Sequence, residues 1–417
     1  MDKKLVGTAI AAFCLCSSLK AQSILSLEYP GGLPIAHSTG SSLGMEGAGT
    51  GVQNDYFGMS DNVANIGATN RAVFSGVLSL DWVDIQDNGL SGRLFSAMPR
   101  LISFEVPITA LGTFGFSFDE RSSTNFNSII DSTMPTGIAD TTRIASVGGI
   151  KVWQLGWGHG VDHCGFAGIS FERLFYSSYT LYRYSTSDPT GGFPLCDTNR
   201  YSSGGDAVRA GILIPIQKFT IGVNGEYIFT GSAATAKFSH TGIIDTTVPD
   251  SERITDSATS RSFAFTLPSS FSAGVSYAPN PKWLFAASSN LTFWNSHSYD
   301  LPRTGDTVVY TARNTVSISA GAQFIPAPNM LLPQYWQIMR YRAGIRYSQL
   351  PDGASSETAA TVGIGLPLLN GGGLLDLNAE FGRRTDTRFG GYAEDFLQIS
   401  VGLDGGRQWS QNTGVHY

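Results

Sequence analysis

The sequence predicts an all-β protein, a transmembrane antiparallel β-barrel of about 14 strands with an N-terminal hatch, or plug, in its lumen. Three observations lead to this fold class. Only 14% of the 417 residues are charged, although 42% are hydrophobic. The chain starts with a segment typical of an export signal and afterwards lacks any run of 18 apolar residues, so we expect no membrane-spanning helix. Long stretches also alternate apolar with small polar residues, which is the period of two that strands require.

The composition excludes several other classes of protein. Soluble globular domains contain about 25% charged residues, well above the fraction here. The 49 glycines and 12% aromatic residues argue against a disordered chain. The net charge of −6 and the absence of a Lys/Arg-rich run argue against nucleic-acid binding. An exported chain of this kind is typical of a closed barrel in a bilayer.

Residues 1–21 are predicted to be a signal peptide, with Lys3 and Lys4 before an apolar run and Ala21 at the cleavage position. The mature chain then keeps two cysteines, Cys164 and Cys196. The predicted strands place them at opposite ends of one strand and its loop, more than about 20 Å apart at about 3.3 Å per residue. A disulfide cannot bridge that distance, so both thiols are expected to be free.

Residues 22–70 do not alternate, and they combine many glycines with apolar side chains such as Leu43, Met45 and Phe57. A 14-stranded barrel is wider than its own side chains can fill. This segment is therefore predicted to fold into the lumen as the hatch.

Residues 71–409 are predicted to form the barrel, followed by a tail at 410–417. The clearest strand has Phe219, Ile221 and Val223 on one face and small polar residues on the other. In a soluble β-sandwich the polar face would carry many charges, so a lipid-facing apolar surface around a polar lumen is favoured. The candidate strands lie near 71–84, 92–106, 111–119, 143–157, 164–184, 204–216, 219–233, 262–278, 282–299, 307–324, 335–348, 357–366, 374–384 and 391–404. The long polar connections at 120–142, 185–203 and 234–261 then all fall on the external side, and the C-terminus returns to the periplasm.

The stretch Ser42-Leu-Gly-Met-Glu-Gly-Ala-Gly-Thr-Gly-Val-Gln-Asn-Asp55 resembles the N-terminal hatch of the FadL/TodX family of outer-membrane transporters. In that family a small-residue run precedes an Asn-Pro-Ala turn and the first strand. Here the turn reads Asn62-Val63-Ala64-Asn65, so valine replaces the proline that would fix the backbone angle φ. The hatch residues that the resemblance assigns are Gly44, Gly47, Gly49, Asn62, Ala64 and Asn65.

The resemblance implies passive uptake of hydrophobic small molecules, either long-chain fatty acids or aromatic hydrocarbons, across the bacterial outer membrane. It also implies a lateral gate at a kink in the third strand, where Gly112 and Gly115 lie. Glycine within a strand often marks a bend, but the same residues are also explained as ordinary barrel glycines. The competing function is a barrel subunit of a type IX secretion system that shuttles or anchors protein cargo, for which the external loops are long enough.

Strand parity places three arginines in the lumen: Arg340, Arg342 and Arg346. Small inward residues, Gly363 and Gly365, separate them from inward carboxylates. The predicted lumenal ion network comprises Glu105, Glu172, Glu226, Asp376 and Glu380. Most such charges serve as structural ion pairs, because charges in this setting need partners. The sharper hypothesis is that one of the arginines binds a ligand carboxylate through its two parallel donors.

No catalytic site, metal site or cofactor is predicted. Gly40–Gly44 matches G-x-S-x-G but lacks the strand–turn–helix setting that this motif requires. His159–Cys164 carries metal-ligand residue types without a second cluster and is interpreted as a solvated turn. The expected partners are a hydrophobic small-molecule ligand, outer-membrane lipid and the barrel-assembly machinery, with no nucleic acid, and the chain is expected to be a monomer.

Overall fold

The computed structural model describes Ser23, Leu25 and residues 31–407, except 36–37, 55, 88–89, 109–110, 134–138, 162–163, 187–194, 232–233, 244–252, 264–266, 295–297, 304–305, 369–371 and 389–391. The predicted signal peptide at 1–21 and the tail at 410–417 lie outside the described residues. Among the described residues no helix is long and apolar enough to span a membrane.

Strands dominate the described chain. They are β1 (Leu33–Pro34), β2 (Ala72–Asp87), β3 (Leu90–Ile108), β4 (Gly112–Ser123), β5 (Phe126–Thr133), β6 (Ala139–Val161), β7 (Gly165–Thr186), β8 (Leu195–Ile216), β9 (Phe219–Gly231), β10 (Ala234–Ile243), β11 (Arg253–Phe263), β12 (Ser269–Asn280), β13 (Trp283–Phe293), β14 (Ser298–Arg303), β15 (Asp306–Thr311), β16 (Thr315–Phe324), β17 (Arg340–Gln349), β18 (Ser355–Pro367), β19 (Gly373–Asp386) and β20 (Ala393–Arg407). The helices are single turns: α1 (Gly40–Leu43), α2 (Asn65–Ala68) and α3 (Tyr335–Ile338).

Fourteen of these strands close into an antiparallel barrel, which confirms the predicted fold class. The order around the wall is β2-β3-β4-β6-β7-β8-β9-β12-β13-β16-β17-β18-β19-β20. The last strand pairs with the first from Ala72↔Arg407 to Gln86↔Ala393, so the wall has no free edge. Closure satisfies the backbone hydrogen bonds that an edge would leave unpaired in lipid.

The side chains of the wall alternate as predicted. On β9, Ile221, Tyr227 and Phe229 are exposed on the outside, while Asn224 and Glu226 are buried on the inside. An outward apolar surface around a polar interior is the transmembrane arrangement, and it excludes the β-sandwich alternative.

The external connections are more regular than the sequence predicts. β5 pairs with β6 inside the predicted loop 120–142, β8 already begins at Leu195, and the β10–β11 hairpin prolongs β8 through the predicted loop 234–261. These polar segments lack a strong alternation, but a neighbouring strand supplies their backbone partners. By contrast, the periplasmic connections are mostly two to five residues long.

Two predicted strands start later than expected. The stretch 262–278 is interrupted before Ser269, and Leu267 is buried in the lumen instead of facing outward. Pro268 lacks the N–H that a central strand would need, which explains the break. The strand predicted at 335–348 begins at Arg340, because Tyr335–Ile338 forms α3.

Both cysteines of the described chain are free. Cys164 lies exposed in the turn between β6 and β7, and Cys196 pairs across the sheet with Arg183, near the far end of β7. The prediction of no disulfide holds for the reason given, because the two residues occupy opposite ends of the wall.

Candidate functional site

Residues 38–54 and 56–69 run inside the barrel and touch inward-facing glycines on strands from around the wall. A side-chain carbon added at Gly222 would collide with the Thr50 carbonyl oxygen, and one at Gly274 would lie 2.8 Å from the Gly51 nitrogen. Similar contacts join Met45 to Gly321 and Gly344, Val63 to Gly168, and Gly40 to Gly402. Backbone therefore packs on backbone, and a larger residue at these positions would push the hatch away from the wall.

The small residues of the predicted hatch explain how the segment turns inside the lumen. Gly47 has φ +72°, which glycine adopts without steric cost, and Glu46 before it is also left-handed at +56°. Gly44 lies against the Asn378 amide and the Arg342 stem, and Gly49 lies against Asp61, so a side chain at either would collide with these groups.

Amide side chains hold the turn that follows. Asn62 donates to the carbonyl oxygens of Thr50 at 2.9 Å and Ile212 at 3.3 Å, and accepts from the Ala64 N–H at 3.0 Å. Asn65 donates to the Val52 carbonyl at 3.0 Å. Asn62, Ala64 and Asn65 are all fully buried. The hydrogen bonds of these two amides therefore hold the backbone of the turn, although no proline fixes its angle φ.

The predicted inward arginines lie in the lumen, and two of them have carboxylate partners from the protein. Arg342 pairs with Asp376 at 2.5 Å, and neither side chain is exposed. Its remaining nitrogens donate to Gln323 at 2.8 Å and to Ser41 of the hatch at 3.0 Å. Gly365 lies between Arg342 and Asp376 and leaves room for this contact.

Arg346 connects three carboxylates. It contacts Glu46 of the hatch at 3.0 Å, Glu357 at 3.0 Å and Glu380 at 2.6 Å. Arg384 shares Glu357 at 2.5 Å. Burial and the nearby Glu380 carboxylate together raise the pKa of Glu46 to about 7.

Arg340 differs from the other two arginines. Its guanidinium lies 4.2 Å from the centre of the Tyr56 ring, which Arg71 approaches to 4.8 Å. Its Nη1 atom is buried and has no hydrogen-bond partner among the described residues. A ligand-carboxylate role for Arg340, Arg342 or Arg346 stays a prediction, and of the three the structure leaves Arg340 with the least occupied guanidinium.

A further ion cluster contains arginines that the sequence analysis missed. Arg121 pairs with Glu172 at 2.7 Å and Glu226 at 2.5 Å, and Arg209 contacts the same two carboxylates at 2.9 Å and 3.2 Å. Arg209 follows the inward parity of β8 and could have been found from it. Arg121 could not, because the register shifts between Glu120 and Ser122.

Glu105 binds the hatch. It accepts the Met59 N–H at 3.1 Å and the Thr69 hydroxyl at 3.2 Å. The five predicted network carboxylates are thus all buried in the lumen, but they belong to separate groups around the wall.

A cavity of about 260 Å³ lies between the hatch and the external half of the wall. Its apolar side includes Ile150, Leu174, Leu267 and Trp294, which pack in one cluster. The polar lining includes serines, the Arg121–Arg209–Glu226 cluster, and the predicted ligand-binding residue Arg346 with Glu46 and Glu357. The cavity can therefore hold a compact, mainly apolar molecule beside fixed charges.

Asp61 of the hatch also lines this cavity. The Thr39 hydroxyl donates a hydrogen bond to Asp61 at 3.1 Å, and the neighbouring hydroxyls of Ser38 and Ser42 lower its pKa. Burial raises the pKa of Asp61 to about 6, because these hydroxyls only partly replace the lost water.

The wall is unbroken at the predicted lateral gate. β4 pairs with β3 from Gly112 to Asp119 without a register shift, and its pairing with β6 is regular from Thr113 to Glu120. Gly112 has φ +92°, and the space beside Gly115 is filled by Met59 and Ile66 of the hatch. A lateral gate at Gly112 and Gly115 stays a prediction. Opening such a gate would require the hatch to move.

The closed 14-strand wall around an internal N-terminal segment is the architecture of FadL-type outer-membrane channels. The Pseudomonas putida toluene transporter TodX is similar to this chain with a TM-score of 0.58 and 12% identity, over 90% of this chain and 99% of that one. The CymD monoaromatic hydrocarbon channel is similar with a TM-score of 0.57 and 14% identity, over the same shares of the two chains. At these identities the likeness shows the fold.

The sequence itself matches the family model BamG over residues 3–413, so the chain belongs to the BamG family. The resemblance to FadL/TodX therefore identified the fold type, whereas the family carries a different name. No curated protein sequence matches the chain.

Proposed function

We propose that the chain is a channel of the bacterial outer membrane through which small hydrophobic molecules enter by diffusion. The observation that carries this proposal is the cavity beside Leu174 and Trp294, on the external side of the hatch. Its apolar side draws a ligand out of water, and its charged side fixes the orientation of any polar substituent. The similar fold of the toluene transporter TodX and the CymD channel supports the same class of cargo.

The size of the cavity narrows the range of ligands that fit it. Pockets for drug-sized molecules span about 300–1,000 Å³, and a cavity of about 150 Å³ holds benzene. A volume of about 260 Å³ suits a substituted monoaromatic compound. A long-chain fatty acid would have to displace part of the hatch.

The hatch must move for cargo to leave the cavity. Backbone contacts at Gly222 and Gly274 and the Glu105 bonds to Met59 and Thr69 keep it in place. The first exit we propose is along β4, where Met59 and Ile66 of the hatch occupy the space beside Gly115.

The test is to fill the cavity. In Leu174→Trp the larger ring projects inward, so we expect loss of toluene binding by calorimetry and of toluene uptake into proteoliposomes. The matched control is Phe175→Trp, one residue along the same strand, where the side chain faces outward. Equal binding by the two variants would contradict the proposal.

The competing function, a secretion-system barrel that holds protein cargo, is favoured by the extended external strands. β10 and β11 form a hairpin beyond the wall, and β14 and β15 form another. Deleting residues 239–255 should leave toluene uptake intact if the chain is a small-molecule channel. If uptake is absent in the intact protein and surface retention of a secreted protein depends on this hairpin, the cargo function is correct.

A further inference from the structure

One periplasmic connection is unlike the others. Residues 325–339, between β16 and β17, form a connection of 15 residues, whereas the other connections on this side, such as 217–218 and 281–282, have five or fewer. The sequence of the long connection, IPAPNMLLPQYWQIM, contains no charged residue. A long periplasmic turn of this composition is not needed to join two adjacent strands.

The connection is folded and presents apolar side chains to the outside of the protein. Leu331 is 98% and Leu332 is 91% exposed, and Met330 and Trp336 are about half exposed. The fold beneath them is fixed, since the Ala327 N–H donates to the Gln337 carbonyl at 2.8 Å and Gln334 caps α3. An ordered loop that displays two neighbouring leucines marks an interaction surface.

The loop is attached to the lipid-facing side of the wall. The Tyr341 hydroxyl donates to the Trp336 carbonyl at 3.2 Å, and Tyr341 lies on the outward face of β17. Its outward neighbour Phe324 packs against Trp283 with ring centres 4.5 Å apart. These aromatic residues mark the periplasmic rim of the apolar belt, so the loop starts at the membrane interface.

We infer that residues 325–339 insert Met330, Leu331 and Leu332 into the periplasmic leaflet of the outer membrane. The occupant of this surface is phospholipid, because the loop is continuous with the lipid-facing belt and carries no charge that would oppose burial. Trp336 and Tyr335 lie at the headgroup level, where their polar atoms can stay hydrated. The inference does not depend on the transported molecule.

The test places a fluorescent probe on the loop of the purified protein. In a Cys164→Ser, Cys196→Ser background, Leu331→Cys is labelled with an environment-sensitive dye and the protein is put in phosphatidylethanolamine–phosphatidylglycerol nanodiscs, one copy per disc. We expect blue-shifted emission, strong quenching by nitroxide-labelled lipid and several-fold weaker quenching by aqueous iodide. The matched control is Lys218→Cys, in the charged turn between β8 and β9 on the same side.

The control should give the opposite pattern, with strong iodide quenching and little effect of nitroxide lipid. Adding Leu331→Asp and Leu332→Asp to a protein labelled at Met330→Cys should make that probe accessible to iodide. Equal iodide quenching at positions 331 and 218 would overturn the inference. Shielding of position 331 that appears only on adding a second protein would overturn it in favour of a protein occupant.

Discussion

Replacing Arg342 by methionine tests whether the lumenal arginines are structural. The guanidinium is fully buried and pairs with Asp376 at 2.5 Å, while Ser41 of the hatch donates to the same carboxylate at 2.8 Å. Methionine preserves volume but leaves Asp376 buried with one hydroxyl partner. Removing one member of a buried ion pair costs about 3–5 kcal/mol, so we expect Arg342→Met to lower the free energy of unfolding by that amount.

The measurement is urea unfolding in lipid micelles, followed by tryptophan fluorescence. The matched control is Arg93→Met, because Arg93 pairs with Asp84 at 2.7 Å near the external end of β2, with 77% of its side chain exposed. Removing an exposed partner of this kind should change stability far less than removing a buried one. The double variant Arg342→Met, Asp376→Asn should recover part of the loss. If Arg342→Met is as stable as the control and instead loses ligand binding, the structural interpretation is wrong and the arginine is a ligand anchor.

Two further predictions concern the hatch. Gly222→Ala should push Thr50 away from the wall at a cost of about 1–3 kcal/mol, seen as faster hydrogen exchange at residues 48–52, whereas Gly405→Ala, with no atom within 4 Å of the added carbon, should change nothing. Asp61 has a folded pKa of about 6, above its unfolded value, so its stabilising effect is complete below about pH 3.9 and is lost as the pH rises through 6, by about 3 kcal/mol in all. The protection factors of residues 38–63, which are corrected for the intrinsic pH dependence of amide exchange, should therefore fall between about pH 4 and 6 in the wild type and fall less in Asp61→Asn, where Glu46 still titrates. An unchanged pH profile in the variant would show that another group controls it.

Alternation was sufficient to predict the wall. Each strand that buries one face and exposes the other to lipid repeats with a period of two, so the fourteen wall strands and the inward positions of Arg342 and Asp376 follow from the sequence. The same argument predicted that the small Gly365 would let an arginine on β17 reach a carboxylate on β19, which is the observed geometry.

The pattern failed where local geometry interrupts the period. Arg121 enters the lumen after a register shift, and Leu267 does so before Pro268. Counting residues therefore does not predict that either side chain points inward. Both residues line the cavity. Part of the candidate ligand site therefore lies at irregular points of the wall, which counting residues along regular strands does not predict.

The inward glycines bear on how a channel of this type could open. Gly222, Gly274 and Gly344 receive the hatch backbone itself, so no side-chain rotation there widens a path. The wall beside the hatch at β4 is fully hydrogen-bonded, and opening it in lipid would expose unpaired backbone groups at a cost of several kcal/mol each. Displacing the hatch exposes its polar backbone to a lumen lined with serines and charges that can replace those bonds. Movement of the hatch is therefore the step with the lower barrier, and any opening of the wall has to follow it.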